Sequence, residues 1–220
     1  MEAGLRAEGA DIFIRHGDFK KPKWPTYKNF KKFIADTSLP LTLKGRKQIE
    51  DSIEQIHDMQ LVDTILSSPY ARTTESARIV QEYLKERHGL NVSIQTTDLL
   101  KEIDVGPDIL SCKEFYTLIV KNLGKLELLK EAVFDKWRLG EAKEKPEEVR
   151  IRIRELLKKV DQFHKEGRKR LLMVSHASLG RAFMRFLRGR DITLPREADT
   201  PLTKAEIFYI FPSKSISLLK

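Results

Sequence analysis

Two short apolar runs in this chain each end on a histidine. Asp11-Ile12-Phe13-Ile14 leads straight into Arg15-His16-Gly17, and Leu171-Leu172-Met173-Val174-Ser175 stops at His176. Both runs read as buried strands, the first closed by a glycine turn. Asp63–Ser67, the alternating Val92–Thr96 and Ile207–Phe211 read as three further strands. Helical patterns fall between them. Thr42 starts one, in which Leu43, Ile49, Ile53 and Ile56 recur at helical spacing. Ser68-Pro69 reads as an N-cap followed by proline at the first helical position, opening a helix to about Lys85. Glu147 to about His164 is an amphipathic helix ended by Gly167, and another runs from about Ser178 to Leu187. Strands alternating with helices imply an α/β domain whose central sheet is mostly parallel.

The remaining segments carry weaker patterns. Residues 1–10 read as a loose leader. Residues 18–41 hold Pro22, Pro25, Pro40 and many lysines, and read as a long surface loop with a short helix around Asn29–Ala35. Residues 103–145, with Gly106, Pro107, Gly124 and Gly140 among helical fragments, read as an insertion. A chain of 220 residues is then expected to form a single domain over 1–220, with a cap-like insertion at about 103–145.

Composition excludes several classes. Hydrophobic residues at 40% are enough for a sizeable core, which rules out disorder and fibrous repeats. No apolar stretch approaches the ~20 residues of a spanning helix, so no membrane partner is expected. The N-terminal MEAGLRAEGA has no apolar core like that of a secretory signal, so the expectation is a cytoplasmic protein. The one cysteine, Cys112, excludes an intrachain disulfide framework and reads as an ordinary buried or half-buried thiol. The net charge is +9, but the charges are interspersed. They read as a charge-rich surface, and a dedicated nucleic-acid face is not expected.

In open α/β sheets, ligands bind beyond the carboxyl ends of the strands. The polar residues at those ends form a coherent set. The first strand ends in Arg15-His16, the second feeds a helix whose first turn carries Arg72, and the strand at 171–175 ends in His176. Such a set suits a phosphoryl group. Arginine forks match phosphate oxygens and stay charged at any useful pH. A helix start offers free N–H groups to an anion. A neutral imidazole can attack phosphorus, and a second can donate to the charge that develops. Each residue alone would be weak evidence; their joint placement at strand ends carries the weight. The other histidines lack that context. His57 lies in or at the end of a polar helix, His88 in the turn before Gly89, and His164 ends a helix where a cation suits the dipole.

The sequence resembles the histidine phosphatase superfamily, with its phosphoglycerate mutase-like fold. The resemblance rests on Ile12–Gly17, Leu41-Thr42-Leu43-Lys44-Gly45-Arg46-Lys47-Gln48, Leu66–Ala77, Leu100–Gly106 and Leu172–His176, in the family's order. It implies a three-layer α/β fold with a mostly parallel sheet flanked by helices and a small helical insertion over the pocket. It implies His16 as the nucleophile that becomes phosphohistidine. Arg15, Arg72 and His176 would bind the phosphate, with His176 completing the catalytic pocket. Glu102 matches the family's proton donor, and no metal or other cofactor is implied. The residues themselves leave Asp104 and Asp18 open as alternative acids, since a donor needs a raised pKa that spacing does not reveal.

The expected activity is metal-independent hydrolysis of a small phosphorylated substrate, a phosphoric monoester. Three rivals stand beside it: a cofactor-dependent phosphoglycerate mutase, a phosphohistidine-protein phosphatase, and a non-catalytic relative that binds phosphorylated ligands or RNA. Against the mutase, Glu102-Ile103-Asp104-Val105-Gly106 departs from the Glu-Arg-His-Tyr-Gly typical of mutases, and Pro22 replaces an asparagine common in the family. Phosphohistidine-protein phosphatases tend to be shorter and to lack the insertion. The completeness of the histidine, arginine and acid set weighs against a non-catalytic relative. Phe115, Tyr116, Phe134 and Trp137 in the insertion are expected mainly to pack it onto the sheet, with one or two open to shaping the leaving-group side.

Overall fold

Parallel pairing of the predicted strands organises the molecule. A computed structural model of the chain describes residues 9–20, 26–56, 58–121, 126–194, 206–211 and 216–218. The strands are β1 (Asp11–Arg15), β2 (Thr64–Ser67), β3 (Ser93–Thr96), β4 (Leu171–Ser175), β5 (Ile207–Ile210) and β6 (Ile216–Leu218). They form one sheet in the order β3-β2-β4-β1-β5-β6. The pairs β2–β3, β2–β4 and β1–β4 are parallel; β5 runs antiparallel to both β1 and β6.

The register decides where the polar strand ends meet. Arg15 pairs with Ser175, and Ser67 pairs with both Val174 and Thr96. Two bonds extend this alignment past the strands: His16 N–H donates to the Ser175 carbonyl at 3.0 Å, and Ser68 N–H to the Val174 carbonyl at 3.1 Å. His16, Ser68 and His176 therefore leave the sheet along one rim.

Helices cover both faces, because successive side chains of a strand point to opposite sides. Ile12, Ile14, Ile65, Leu172 and Val174 pack on one side with α2 (Leu43–Ile53) and α3 (Ala71–His88). Phe13, Leu66, Leu171 and Met173 pack on the other with α6 (Pro146–Lys165) and α7 (Ala177–Leu187). Val149, Ile153, Leu156, Val160 and Phe163 form the buried stripe of α6; each such side chain is worth about 1.5–3 kcal/mol when removed from water. Before these come α1 (Tyr27–Ala35), α4 (Cys112–Lys121) and α5 (Leu126–Arg138). Phe30, Phe115, Phe134 and Trp137 are buried in the same cluster as Phe13. Phe115, Phe134 and Trp137 are thus packing residues, whereas Tyr116 is exposed.

The structure departs from the sequence pattern at several points. The helix after β2 begins at Ala71, not Ser68, with Tyr70 as its cap residue, and it continues through His88. Leu43 is exposed rather than core, because the stripe of α2 that faces the sheet starts at Gly45. Cys112 is exposed at the start of α4. The strand β6 carries no apolar run long enough to be read beforehand. His57, Pro22, Gly124 and the leader up to residue 8 lie outside the described residues. Among the described residues no helix is long and apolar enough to cross a membrane.

Candidate active site

The loop after β1 is held by a contact between two glycines. A Cβ on Gly17 would overlap the Gly45 carbonyl, and a Cβ on Gly45 would overlap the Asp18 backbone. Only two residues without side chains let this loop lie against the first turn of α2. Thr42 completes the junction: it caps α2 by accepting from Gly45 N–H at 3.0 Å, and its own N–H donates to the Asp18 carbonyl at 3.0 Å. The spacing between Arg15-His16-Gly17 and Thr42-Leu43-Lys44-Gly45 thus encodes one close approach.

That loop orients His16. Its ring is buried, and Nδ1 lies 2.7 Å from the Gly17 carbonyl. A carbonyl oxygen only accepts, so Nδ1 carries the proton and Nε2 keeps the lone pair. The His176 ring stands 5.2 Å away, centroid to centroid, at an interplanar angle of 67°. His176 is fully buried, with Nε2 lying 2.8 Å from the Ser68 hydroxyl. Its Nδ1 has no hydrogen-bond partner among the described residues. Burial holds the His176 pKa well below the ordinary 6.5, and the charges of Arg72 and Arg15 push the same way. It is therefore a neutral ring whose Nδ1–H is a donor when Ser68 donates to Nε2.

Arg72 sits in the first turn of α3, as expected, and is buried. Its guanidinium carbon lies 4.9 Å from the centroids of both Phe19 and Tyr70. Burial lowers its pKa, while Glu102 and Tyr70 pull it back up. The group remains a cation at any useful pH. Arg15 ends β1 on the same rim and, with Arg72, contributes to the positive field at His176.

Glu102 lies at the start of α7. Its Oε1 accepts from Leu179 N–H at 3.1 Å and its Oε2 from Ser178 N–H at 3.5 Å. The first turn of a helix presents unpaired N–H groups, and two of them hold the Glu102 carboxyl in place. The segment that carries it is fastened on both sides. The Ser175 hydroxyl donates to the Leu100 carbonyl at 2.7 Å, and Arg152 of α6 donates to the Lys101 carbonyl at 2.6 Å. Arg152 also grips both oxygens of Glu144 at 2.8 Å, and Glu144 accepts from Asp104 N–H at 2.9 Å. The alternative acids are engaged elsewhere. Asp104 is exposed and paired with Lys143 at 2.7 Å, and Asp18 accepts from the Thr42 hydroxyl at 3.3 Å.

The structure thus brings His16, His176, Arg15, Arg72 and Glu102 to one end of the sheet. Sequence reasoning missed Phe19, Tyr70, Ser68 as a histidine partner, and Arg152. Phe19 and Tyr70 stand three residues after His16 and two before Arg72, and that nearness was their only signal.

The fold as a whole has known counterparts. The chain belongs to the histidine phosphatase superfamily (branch 1), whose profile matches residues 12–215. No curated protein sequence matches it. Solved structures share its fold at low identity. The α-ribazole phosphatase of Shigella flexneri has 16% identity and a TM-score of 0.64, covering 96% of this chain and 94% of that one. A mycobacterial glucosyl-3-phosphoglycerate phosphatase has 18% identity and a TM-score of 0.63, covering 95% of this chain and 96% of that one. A phosphoserine phosphatase variant of Entamoeba histolytica, seen with phosphoserine, has 19% identity and a TM-score of 0.62, covering 96% of this chain and 95% of that one. At these identities the likeness is one of fold.

Proposed function

We propose that the chain is a phosphomonoester hydrolase that works without a metal, through a phosphohistidine on His16. The observation that carries this reading is the His16 ring itself. Its Nδ1 is committed to the Gly17 carbonyl, so Nε2 is the nucleophilic nitrogen, on the rim shared by His176, Arg72 and Arg15. The neighbours named above act on α-ribazole phosphate, glucosyl-3-phosphoglycerate and phosphoserine, as their names state. A small phosphorylated metabolite is the matching substrate class here.

The reaction runs in two displacements. Nε2 of His16 attacks phosphorus as the bond to the ester oxygen breaks, and Glu102 gives its proton to that oxygen. Arg15, Arg72 and Nδ1–H of His176 hold the equatorial oxygens while charge redistributes. Water then attacks the phosphohistidine and passes a proton to Glu102. The N–P bond breaks, its electron pair returns to Nε2, and inorganic phosphate leaves. Glu102 is preferred over Asp104 because its carboxyl meets the first turn of α7, the helix that follows His176, while Asp104 is paired with Lys143.

Phosphate release from a panel of phosphomonoesters, with chelator present, tests the reading. Release by the parent and none by His16→Ala is expected. Release that survives in His16→Ala overturns it. Isomerisation of a phosphoglycerate with no net phosphate release would replace it with a mutase.

A further inference from the structure

We infer that Phe19 and Tyr70 are positioning residues, two aromatic faces that hold the Arg72 guanidinium in the orientation that meets a phosphoryl group. This rests on the phosphatase reading of the same rim. The geometry forms a closed circuit. The Phe19 ring meets His16 edge-on at 5.3 Å and 75°, and lies 4.9 Å from the Arg72 guanidinium. The Tyr70 ring meets His176 at 4.9 Å and 64°, and lies 4.9 Å from the same guanidinium. The two histidines are themselves 5.2 Å apart. Among the described residues no ring contact joins Phe19 to Tyr70, so Arg72 is what links them.

The choice of partner matters chemically. A buried arginine ordinarily sits against a carboxylate, which would satisfy its N–H edge and cancel its charge. Arg72 has no carboxylate within ion-pair distance among the described residues, and its Nε has no hydrogen-bond partner there. An aromatic face attracts a guanidinium through its quadrupole and occupies the flat side, leaving the N–H edge for an anion. The two rings thus fix the arginine without neutralising it.

Both rings are themselves fixed. Phe19 is bridged to Leu41 through the backbone, and its ring stacks on Phe33 at 6.1 Å and 3°. Tyr70 is the cap residue of α3, and its carbonyl accepts from the N–H groups of Thr73 and Thr74 at 3.0 Å and from the Thr73 hydroxyl at 2.7 Å. Both rings are half-buried, so each presents part of a flat apolar surface beside the histidines.

The test reads anion binding apart from turnover. Orthovanadate affinity is measured by calorimetry, and KM and kcat on a phosphomonoester, for the parent, Phe19→Leu, Tyr70→Leu, Tyr70→Phe and Arg72→Lys. The double variants that combine Arg72→Lys with each leucine change are included, and folding is checked by circular dichroism. Phe19→Leu and Tyr70→Leu are expected to weaken vanadate on the order of tenfold each. Tyr70→Phe, which keeps the face, is expected to bind like the parent. In the Arg72→Lys background the leucine changes should add little, because the flat cation they hold is gone. Unchanged vanadate affinity in both leucine variants overturns the inference, as does full additivity with Arg72→Lys. So does a parent that binds no vanadate. A parent that binds vanadate and shows these couplings, but hydrolyses no ester, would overturn the phosphatase reading and leave the positioning role standing.

Discussion

Ser68 and His176 share a hydrogen bond of 2.8 Å in the floor of the site, between the serine hydroxyl and Nε2. Both residues are buried. A hydroxyl can donate or accept, but a neutral imidazole offers one of each. If Nδ1 of His176 is to donate to a phosphoryl oxygen, Nε2 must accept from Ser68. The serine therefore selects the tautomer that the chemistry needs. Ser68→Ala is expected to lower kcat by up to about tenfold, the worth of one hydrogen bond. Ser68→Thr should retain most activity. Steady-state kinetics would check both, and an alanine variant with parent kcat would show that the bond has no bearing on turnover.

The same serine shows what sequence could and could not reveal. Ser68-Pro69 carries local capping chemistry, yet the tertiary contact with His176 claims the hydroxyl, and the helix opens at Ala71 instead. By contrast, the strands that end in His16 and His176 were legible, because a short apolar run stopping at a polar residue reports burial directly. The register that puts them 5.2 Å apart was not, since pairing is set by contacts distant in sequence. The two-glycine approach at Gly17 and Gly45 was visible only as a spacing. The Asp11–His164 pair spans 153 positions and left no pattern at all.

The glycine junction makes a sharp prediction. Gly45→Ala places a methyl group against the Asp18 backbone, where neither chain can yield cheaply. It should destabilise the protein by about 1–3 kcal/mol. It should also lower kcat, because the loop it displaces carries His16. Thermal unfolding and kinetics read the two effects together; a variant unchanged in both would mean that the loop tolerates the shift.

Arg152 lies outside the phosphate site but holds the segment that carries Glu102. It donates to the Lys101 carbonyl at 2.6 Å and clasps Glu144. Arg152→Ala is expected to cut kcat by about tenfold to a hundredfold, through misplacement of the acid. Vanadate affinity should change little. A fall in vanadate binding that matches the fall in kcat would place Arg152 in the anion site instead.

His164 predicts how stability follows pH. Its Nε2 lies 2.9 Å from Asp11 Oδ2, and its Nδ1 donates to the Arg168 carbonyl at 2.9 Å. Burial pulls the His164 pKa down, but these two bonds outweigh it, and the net shift is upward from 6.5. Asp11 is also shifted upward from 3.8, because burial exceeds the pull of its partners. A raised folded-state pKa means that the stabilisation is complete below the unfolded value and is lost as pH rises through the folded one. Stability contributed by His164 should therefore be full below 6.5 and decline above it. Urea midpoints at about pH 6 and about pH 8 should differ more in the parent than in His164→Gln. Equal differences in the two proteins would remove His164 from the pH response.

The central claim is that His16 carries the phosphoryl group. The most direct measurement quenches the protein with a good phosphomonoester under alkaline denaturing conditions, which preserve an N–P bond. The mass of the peptide containing His16 is then determined. The account predicts one added phosphoryl group on that peptide, stable in base and lost in acid, and absent from His16→Ala. A phosphoryl group on another residue, or steady turnover with no phosphoenzyme at any quench time, would contradict it.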